Sequence, residues 1–466
     1  MANTRTEFDS IGPVEVPAGR LWGAQTERCL MNFPIGNEKM PVPFIHALGM
    51  QKHAAAAANK ALGLLDGKLA DAIMQAAGEV HSGKLDDEFP LPVWQTGSGT
   101  QSNMNANEVI ANRAAEILGG KRGDKTVVHP NDHVNMGQSS NDTIPTVMLV
   151  SSVLMAERRL KPALEGMIAS LDRFSVAYGH IIKLGRTHMQ DATPITLGQV
   201  FSAYRSQLRA VLESLAALMP RLLLLPQGGT AVGTGINCHE DFPAEFCRAL
   251  SAIAGYPFEP APNKFAGISA HDELVALSGV LNGAAAALYK IANDIRMMGC
   301  GPRGGFAELV LPKNEPGSSI MAGKVNPTQV EALTMVCAQV MGNHTTVSMA
   351  GSQGQFELNA YKPVIIYNVL QSLALLSDSV MSFTERCLDG LKPDEDRIDA
   401  LLKGSLMLAT SLVPHIGYDK TAEIANKASK DKSTLKAAAL ALAYVTEEEF
   451  ERWTDPSEMI GPDRRD

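Results

Sequence analysis

Four polar segments interrupt an otherwise apolar chain: QTGSGTQSNMNANE at 95–108, VHPNDHVNMGQSSND at 128–142, GRTHMQDA at 185–192 and GSSIMAGKVNP at 317–327. Each is rich in hydroxyls and amides, which donate well to carboxylate oxygens, and helix starts beside them would add the positive potential of free backbone amides. Any one of them alone reads as a capped turn, because Ser, Thr and Asn favour turns for local reasons. Four together point to a site for a small anion. Gly317 and Gly323 give the last segment a backbone free to bend closely over something. His188 is open to two readings, a satisfied structural histidine or a base, and its partner decides between them.

Other chemistries are weaker. His129 and His133 have the four-residue spacing of helical metal ligands, but Pro130 between them argues against a regular helix, so no metal site is expected. The glycines of GGTAVGTG (228–235) neither follow a convincing strand nor fit GxGxxG, so no nucleotide loop is read there and no cofactor is implied. A net charge of −9 without a clustered basic footprint speaks against nucleic acid. A small anionic substrate stays compatible with it, since local potential matters more than net charge.

Six cysteines lie far apart (Cys29, Cys238, Cys247, Cys300, Cys337, Cys387), and MANTRTEFDS lacks an apolar signal core. A reduced, cytoplasmic protein is expected. No apolar run reaches the roughly 18 residues that span a bilayer, and LESLAALMPRLLLLP is broken by Pro220 and Arg221, so membrane insertion is not expected.

The elements that must carry these segments are helices. Leu277, Leu281, Ala284, Leu288, Ile291, Ile295 and Met298 recur at steps of four and three, the seam of a bundle helix. Similar periodicity runs over 145–171, over 196–218 and from Pro327 onward. Asp142 and Pro145 look like a helix entry, a cap followed by a first-turn proline. Breaks at 119–142 and at LDGLKPDEDR (388–397) suggest a mainly α chain of three domains. These are a mixed amino-terminal domain (1–139), a central helical-bundle domain (140–392) and a small helical carboxy-terminal domain (393–466).

The motifs GSSIMAGKVNPTQ, QTGSGTQSNMN, HPNDHVN followed by QSSND, GRTHMQDATP and GGTAVGTG together resemble the class II fumarases of the aspartase/fumarase superfamily, over nearly the whole chain from TRTEFDSIGPVEVP onward. The resemblance implies a metal-independent homotetramer whose middle domains share one central bundle, with each active site drawn from three chains. It also implies reversible addition of water to fumarate, giving L-malate, a step of the tricarboxylic acid cycle. By motif position, Ser98, Thr100, Ser139, Ser140, Asn141, Thr187, Lys324 and Asn326 would hold the substrate carboxylates. Ser318 would take the carbon-bound proton, and His188, oriented by Glu331, would handle the water. A second dicarboxylate site near His129, Asn131 and Asp132 is implied too, although family members often carry arginine where this chain has Thr126, with Lys125 beside it. Ala322 replaces a common proline in the loop. An aspartate ammonia-lyase shares the signature loop and is the alternative. A non-catalytic structural protein is a further one, opposed by the joint retention of Ser318, Lys324, Asn326, His188 and Glu331.

Removing a proton beside an already charged carboxylate creates a doubly negative aci-carboxylate, so donors must surround that group beforehand. A serine base is demanding: raising its alkoxide from roughly six pKa units above neutrality costs about 8 kcal/mol. A lysine at about 4 Å offers only about 4 kcal/mol at intermediate dielectric, so loop amides and a helix start must supply the rest.

Overall fold

The structure, a computed structural model, describes residues 3–462. Among them, α-helices are joined by loops and by four two-stranded sheets. Seven helices carry the argument: α1 (Val42–Ala61), α2 (Thr100–Ile117), α3 (Ser140–Met155), α4 (Leu197–Leu222), α5 (Asp272–Met298), α6 (Thr328–Gly351) and α7 (Lys362–Arg386). The chain divides into two compact units, each assembled from separated segments. One gathers residues up to Pro162 with Val211–Ala285 and Val336–Asp378; the other gathers Ala163–Ala210, Ala286–Met335 and the chain from Ser379 onward.

The expected seam is the buried face of α5, where Leu277, Leu281, Ala284, Leu288, Ile291, Ile295 and Met298 are all buried. Polar residues stitch the long helices where apolar packing alone would leave register free. Asn343 of α6 donates to the Gln371 Oε1 (2.9 Å) and Ser372 Oγ (3.0 Å) of α7, and Ser278 of α5 meets His344 of α6 at 3.0 Å. Asp272–Met298 and Lys362–Gly390 are long and apolar enough to cross a membrane, with 44% and 56% of their most apolar windows buried within the chain. Counting uninterrupted apolar runs misses this, because uncharged Ser278 and Asn282 break the run while leaving the average hydropathy high.

The helix expected from Pro145 begins earlier, at Ser140. Ser139 takes the N-cap position and Asp142 closes the capping box from the third helical residue, so the carboxylate is a partner of the cap and not the cap itself. Pro145 lies inside the helix, which continues through a wider turn at 156–160 into Lys161–Ala177. Pro220 likewise sits within the last turns of α4.

In the first unit, α1 packs against the Gly67–His81 helix, α3 and the Phe242–Ala254 helix. The loop before α2 is clasped to the start of α7: Lys362 N–H donates to the Gly97 carbonyl at 2.9 Å, and a Cβ on Gly97 would lie 1.5 Å from the Ala360 oxygen. In the second unit, the carboxy-terminal helices close on a small core of Leu412, Ile424, Leu435 and Phe450. Two glycines should therefore respond in opposite directions. Gly97→Ala should lower the unfolding free energy by about 3 kcal/mol or more through backbone collision. Gly78→Ala, within the Gly67–His81 helix and with nothing within 4 Å of the added carbon, should raise it by about 1 kcal/mol. Chemical denaturation of both variants checks the pair.

Candidate active site

The segments 95–108 and 128–142 meet where two helices begin. Gly99, at φ +75°, caps α2, and a Cβ there would lie 3.0 Å from Ile144 Cγ2 of α3. The Ser98 and Thr100 hydroxyls lie 2.8 Å apart, and Gln95 Oε1 accepts from both the Ser102 amide (3.1 Å) and hydroxyl (3.0 Å). Ser139, Ser140 and Asn141 form the first turn of α3 alongside, with Asn103 of α2 donating to Ser140 Oγ at 2.8 Å. Five of the sequence-predicted binding residues thus share one patch at the N-termini of two helices, the positive ends of their dipoles.

Asp142 holds this patch in place. Its buried carboxylate accepts from the Ser139 amide (3.0 Å) through one oxygen and from the Gly228 and Thr230 amides (2.9 Å each) through the other. Burial pushes its pKa up to about 6, against the lowering pull of those three amides and of Lys52. Asn141 adds a bond to the Ala231 carbonyl at 2.8 Å. GGTAVGTG is therefore a brace for the start of α3. Neither Asp142 as anchor nor Asn103 is evident from sequence, where both disappear among turn-forming neighbours; the glycine pair at 228–229, needed for close approach, is the only signal.

Thr187 and His188 occupy the tip of a hairpin, Ile182–Thr187 paired with Gln190–Thr196. The two-residue turn is His188-Met189, with φ of +56° and +62°, a conformation usually given to Asn-Gly. Both side chains are exposed. Beneath the tip, the wholly buried Glu308 accepts from Arg186 Nη1 at 2.9 Å and faces Lys183 Nζ at 3.4 Å, while Arg186 stacks over Phe306. A cavity of about 520 Å³ beside the hairpin is lined by Arg186, Thr187, Tyr204, Lys290 and Asp294, among others.

The 317–327 loop closes on itself. Asn326 donates its amide to the Gly317 carbonyl, and a Cβ on Gly317 would lie 2.0 Å from the Lys324 oxygen. Ser318 Oγ accepts from the Ile320 amide at 3.2 Å and the Met321 amide at 2.9 Å. Lys324 is exposed, as is Glu331 in the first turn of α6. Among the described residues no hydrogen bond joins His188 to Glu331 within the single chain.

His129, Asn131 and Asp132 share one tight turn at Pro130–Val134, where His129 Nδ1 accepts from the amides of Asn131 (3.2 Å) and Asp132 (3.1 Å). His133 Nδ1 accepts from the His129 amide at 2.9 Å. Lys125 Nζ donates to the Phe8 carbonyl and the Thr126 hydroxyl to Asp124.

Within the first unit hydroxyls gather at two helix starts, and within the second a histidine sits on a left-handed turn and a serine under loop amides. The family model described as Lyase matches residues 12–342, and Fumarase C C-terminus matches 408–461. The chain is 59% identical over 459 residues to a class II fumarate hydratase of Methylorubrum extorquens, covering 98% of this chain and 97% of that one. It is 57% identical to the mitochondrial fumarate hydratase of Dictyostelium discoideum, over 99% and 96% of the two chains. A crystal structure of class II fumarase from Schistosoma mansoni superposes with a TM-score of 0.96 at 45% identity, covering 98% of this chain and 99% of that one. The chain belongs to the class II fumarate hydratase family, and its activity is that of a hydro-lyase interconverting fumarate and L-malate.

The hairpin geometry makes a stability prediction. Met189→Gly should raise the unfolding free energy by about 1 kcal/mol, because a left-handed backbone strains any residue with a Cβ by that order. Denaturant titration reads the gain, and an unchanged or lower midpoint would show the turn to be unstrained.

Proposed function

We propose that hydration and dehydration proceed by proton transfer at carbon to a loop serine and at oxygen through a histidine. In the dehydration of L-malate, Ser318, as alkoxide, takes the proton from the carbon beside one carboxylate. The electron pair of that C–H bond moves into the carboxylate, giving the aci-carboxylate dianion. The pair then returns to form the C=C bond as the neighbouring C–O bond breaks, and the hydroxyl leaves as water with a proton from His188. Glu331 orients His188. Ser98, Thr100, Ser139, Ser140, Asn141, Thr187, Lys324 and Asn326 hold the two carboxylates, and no metal or cofactor takes part.

The observation that carries this reading is the pair of amides, Ile320 and Met321, already donating to Ser318 Oγ. They supply part of the stabilisation that a serine alkoxide needs and that Lys324 alone cannot give.

The same reading makes the working enzyme a homotetramer with sites drawn from three chains. Support comes from large apolar side chains left open along the long helices, Met335 and Met349 of α6 at 68% exposure each and Met381 of α7 at 50%, a surface suited to other copies of the chain. The same reading assigns a second dicarboxylate site to His129, Asn131 and Asp132, where the Asp132 carboxylate lies 3.4 Å from His129 Nδ1.

Malate and aspartate, assayed side by side by fumarate absorbance after exhaustive chelation, should give turnover with malate only. Ser318→Ala should lower kcat by about a hundred- to ten-thousandfold with helical content intact; activity within tenfold of wild type would remove Ser318 as the base. Mixing Ser318→Ala and His188→Asn chains should restore roughly one site in four if the two residues come from different chains. Hybrid tetramers, confirmed by mass spectrometry, that stay inactive would place both in one chain.

A further inference from the structure

We propose that Asn103 is a positioning residue for the hydration, fixing the Ser140 hydroxyl so that its proton is directed outward to a substrate carboxylate. This rests on the reading of Ser140 as a substrate-holding residue.

The argument follows donor and acceptor identity through four side chains. Lys52 is wholly buried, and a protonated lysine has donors and no acceptor. Its Nζ gives to Asn135 Oδ1 at 3.1 Å and to Gln138 Oε1 at 2.9 Å. The orientation of Asn135 is fixed accordingly, with its oxygen toward Lys52 and its nitrogen donating to the Gln138 carbonyl at 3.1 Å. The same Oδ1 faces Asn103 at 3.2 Å and Asn107 at 3.2 Å, and both must present nitrogen to it. A flipped Asn103 would set oxygen against oxygen.

Asn103 Nδ2 therefore also points at Ser140 Oγ, 2.8 Å away, and Ser140 accepts. Its proton is left over, and no acceptor for it exists among the described residues. The Ser140 hydroxyl, half-buried on the first turn of α3, is thus poised to donate to an anion. Accepting a bond also strengthens a hydroxyl as a donor. The arrangement leaves Asn103 Oδ1 buried with no protein partner, a cost that an Asn freed to rotate would avoid.

Burial draws Lys52 down to about 7, with Asp142 opposing the shift. A neutral amine keeps two N–H donors, enough for Asn135 and Gln138, so the direction of the relay survives either protonation state.

A double-mutant cycle separates positioning from general support. Ser140→Ala and Asn103→Ala should each raise KM for fumarate about tenfold, the scale of one lost hydrogen bond, with kcat changed by less than about threefold, as for an interaction shared by ground and transition states. The double variant should be no worse than Ser140→Ala alone, since Asn103 has nothing left to orient. A double variant whose KM rises by the product of the two single effects would overturn the role of Asn103 while leaving Ser140 in the site. Unchanged KM in Ser140→Ala would overturn both. If Asn103→Ala does not fold, judged by helical circular dichroism and thermal midpoint, Asn103→Ser supplies that corner of the cycle.

Discussion

One buried carboxylate holds the hydroxyl-rich patch at the start of α3 together. Asp142 ties the Ser139 amide at the entry of α3 to the Gly228 and Thr230 amides of a segment far along the chain. Two lone-pair-rich oxygens with three backbone donors are well satisfied, so the group stays buried at tolerable cost even though burial raises its pKa. Without that tie, only the Asn141 bond to the Ala231 carbonyl would link the start of α3 to the 228–231 turn, and the Gly228 and Thr230 amides would lose their acceptor. The placement of α2 beside α3, and with it Ser98 and Thr100, builds on this frame.

The second unit solves a different problem with the same means. The hairpin tip carrying Thr187 and His188 stands exposed and is held from its base. Rigidity comes from below, where wholly buried Glu308 lies between Lys183 and Arg186, with Phe306 under the guanidinium. A carboxylate between two cations in a dry setting is directional and expensive to break. The 317–327 loop is instead stiffened by itself, through the Asn326 to Gly317 bond and the two amides on Ser318.

Periodic features of the fold were legible in the sequence and conditional ones were not. The seam from Leu277 to Met298 predicts α5 because a 3.6-residue period depends only on local order, and each of those side chains is buried. The start of α3 was misplaced because Asp142, a good cap in isolation, is outcompeted by Ser139 and recruited by Gly228 and Thr230, a tertiary effect invisible locally. The polar patch was legible in its residue types, and motif resemblance identified the family. Its supports were not: Asn103, Lys52 and Glu308 act through partners tens to more than a hundred residues distant, and nothing in their own neighbourhoods marks them. The left-handed His188-Met189 turn escaped for the opposite reason, since neither residue type advertises that backbone.

The clasp between Gly97 and the Ala360–Lys362 stretch bears on how such a chain is made. Its two halves are separated by more than half the chain, and the unit that contains them also needs Val211–Ala285 and Val336–Asp378 to be complete. A ribosome delivering the chain from its amino terminus has therefore synthesised most of the protein before the loop before α2 can meet its partner. Until then α1, α2 and α3 can pack on one another and on the Gly67–His81 and Phe242–Ala254 helices, but the 336–378 part of their unit is missing. Long-range closure of this kind slows folding and prolongs exposure of sticky surface. Gly97 thus marks a contact that closes late in biosynthesis.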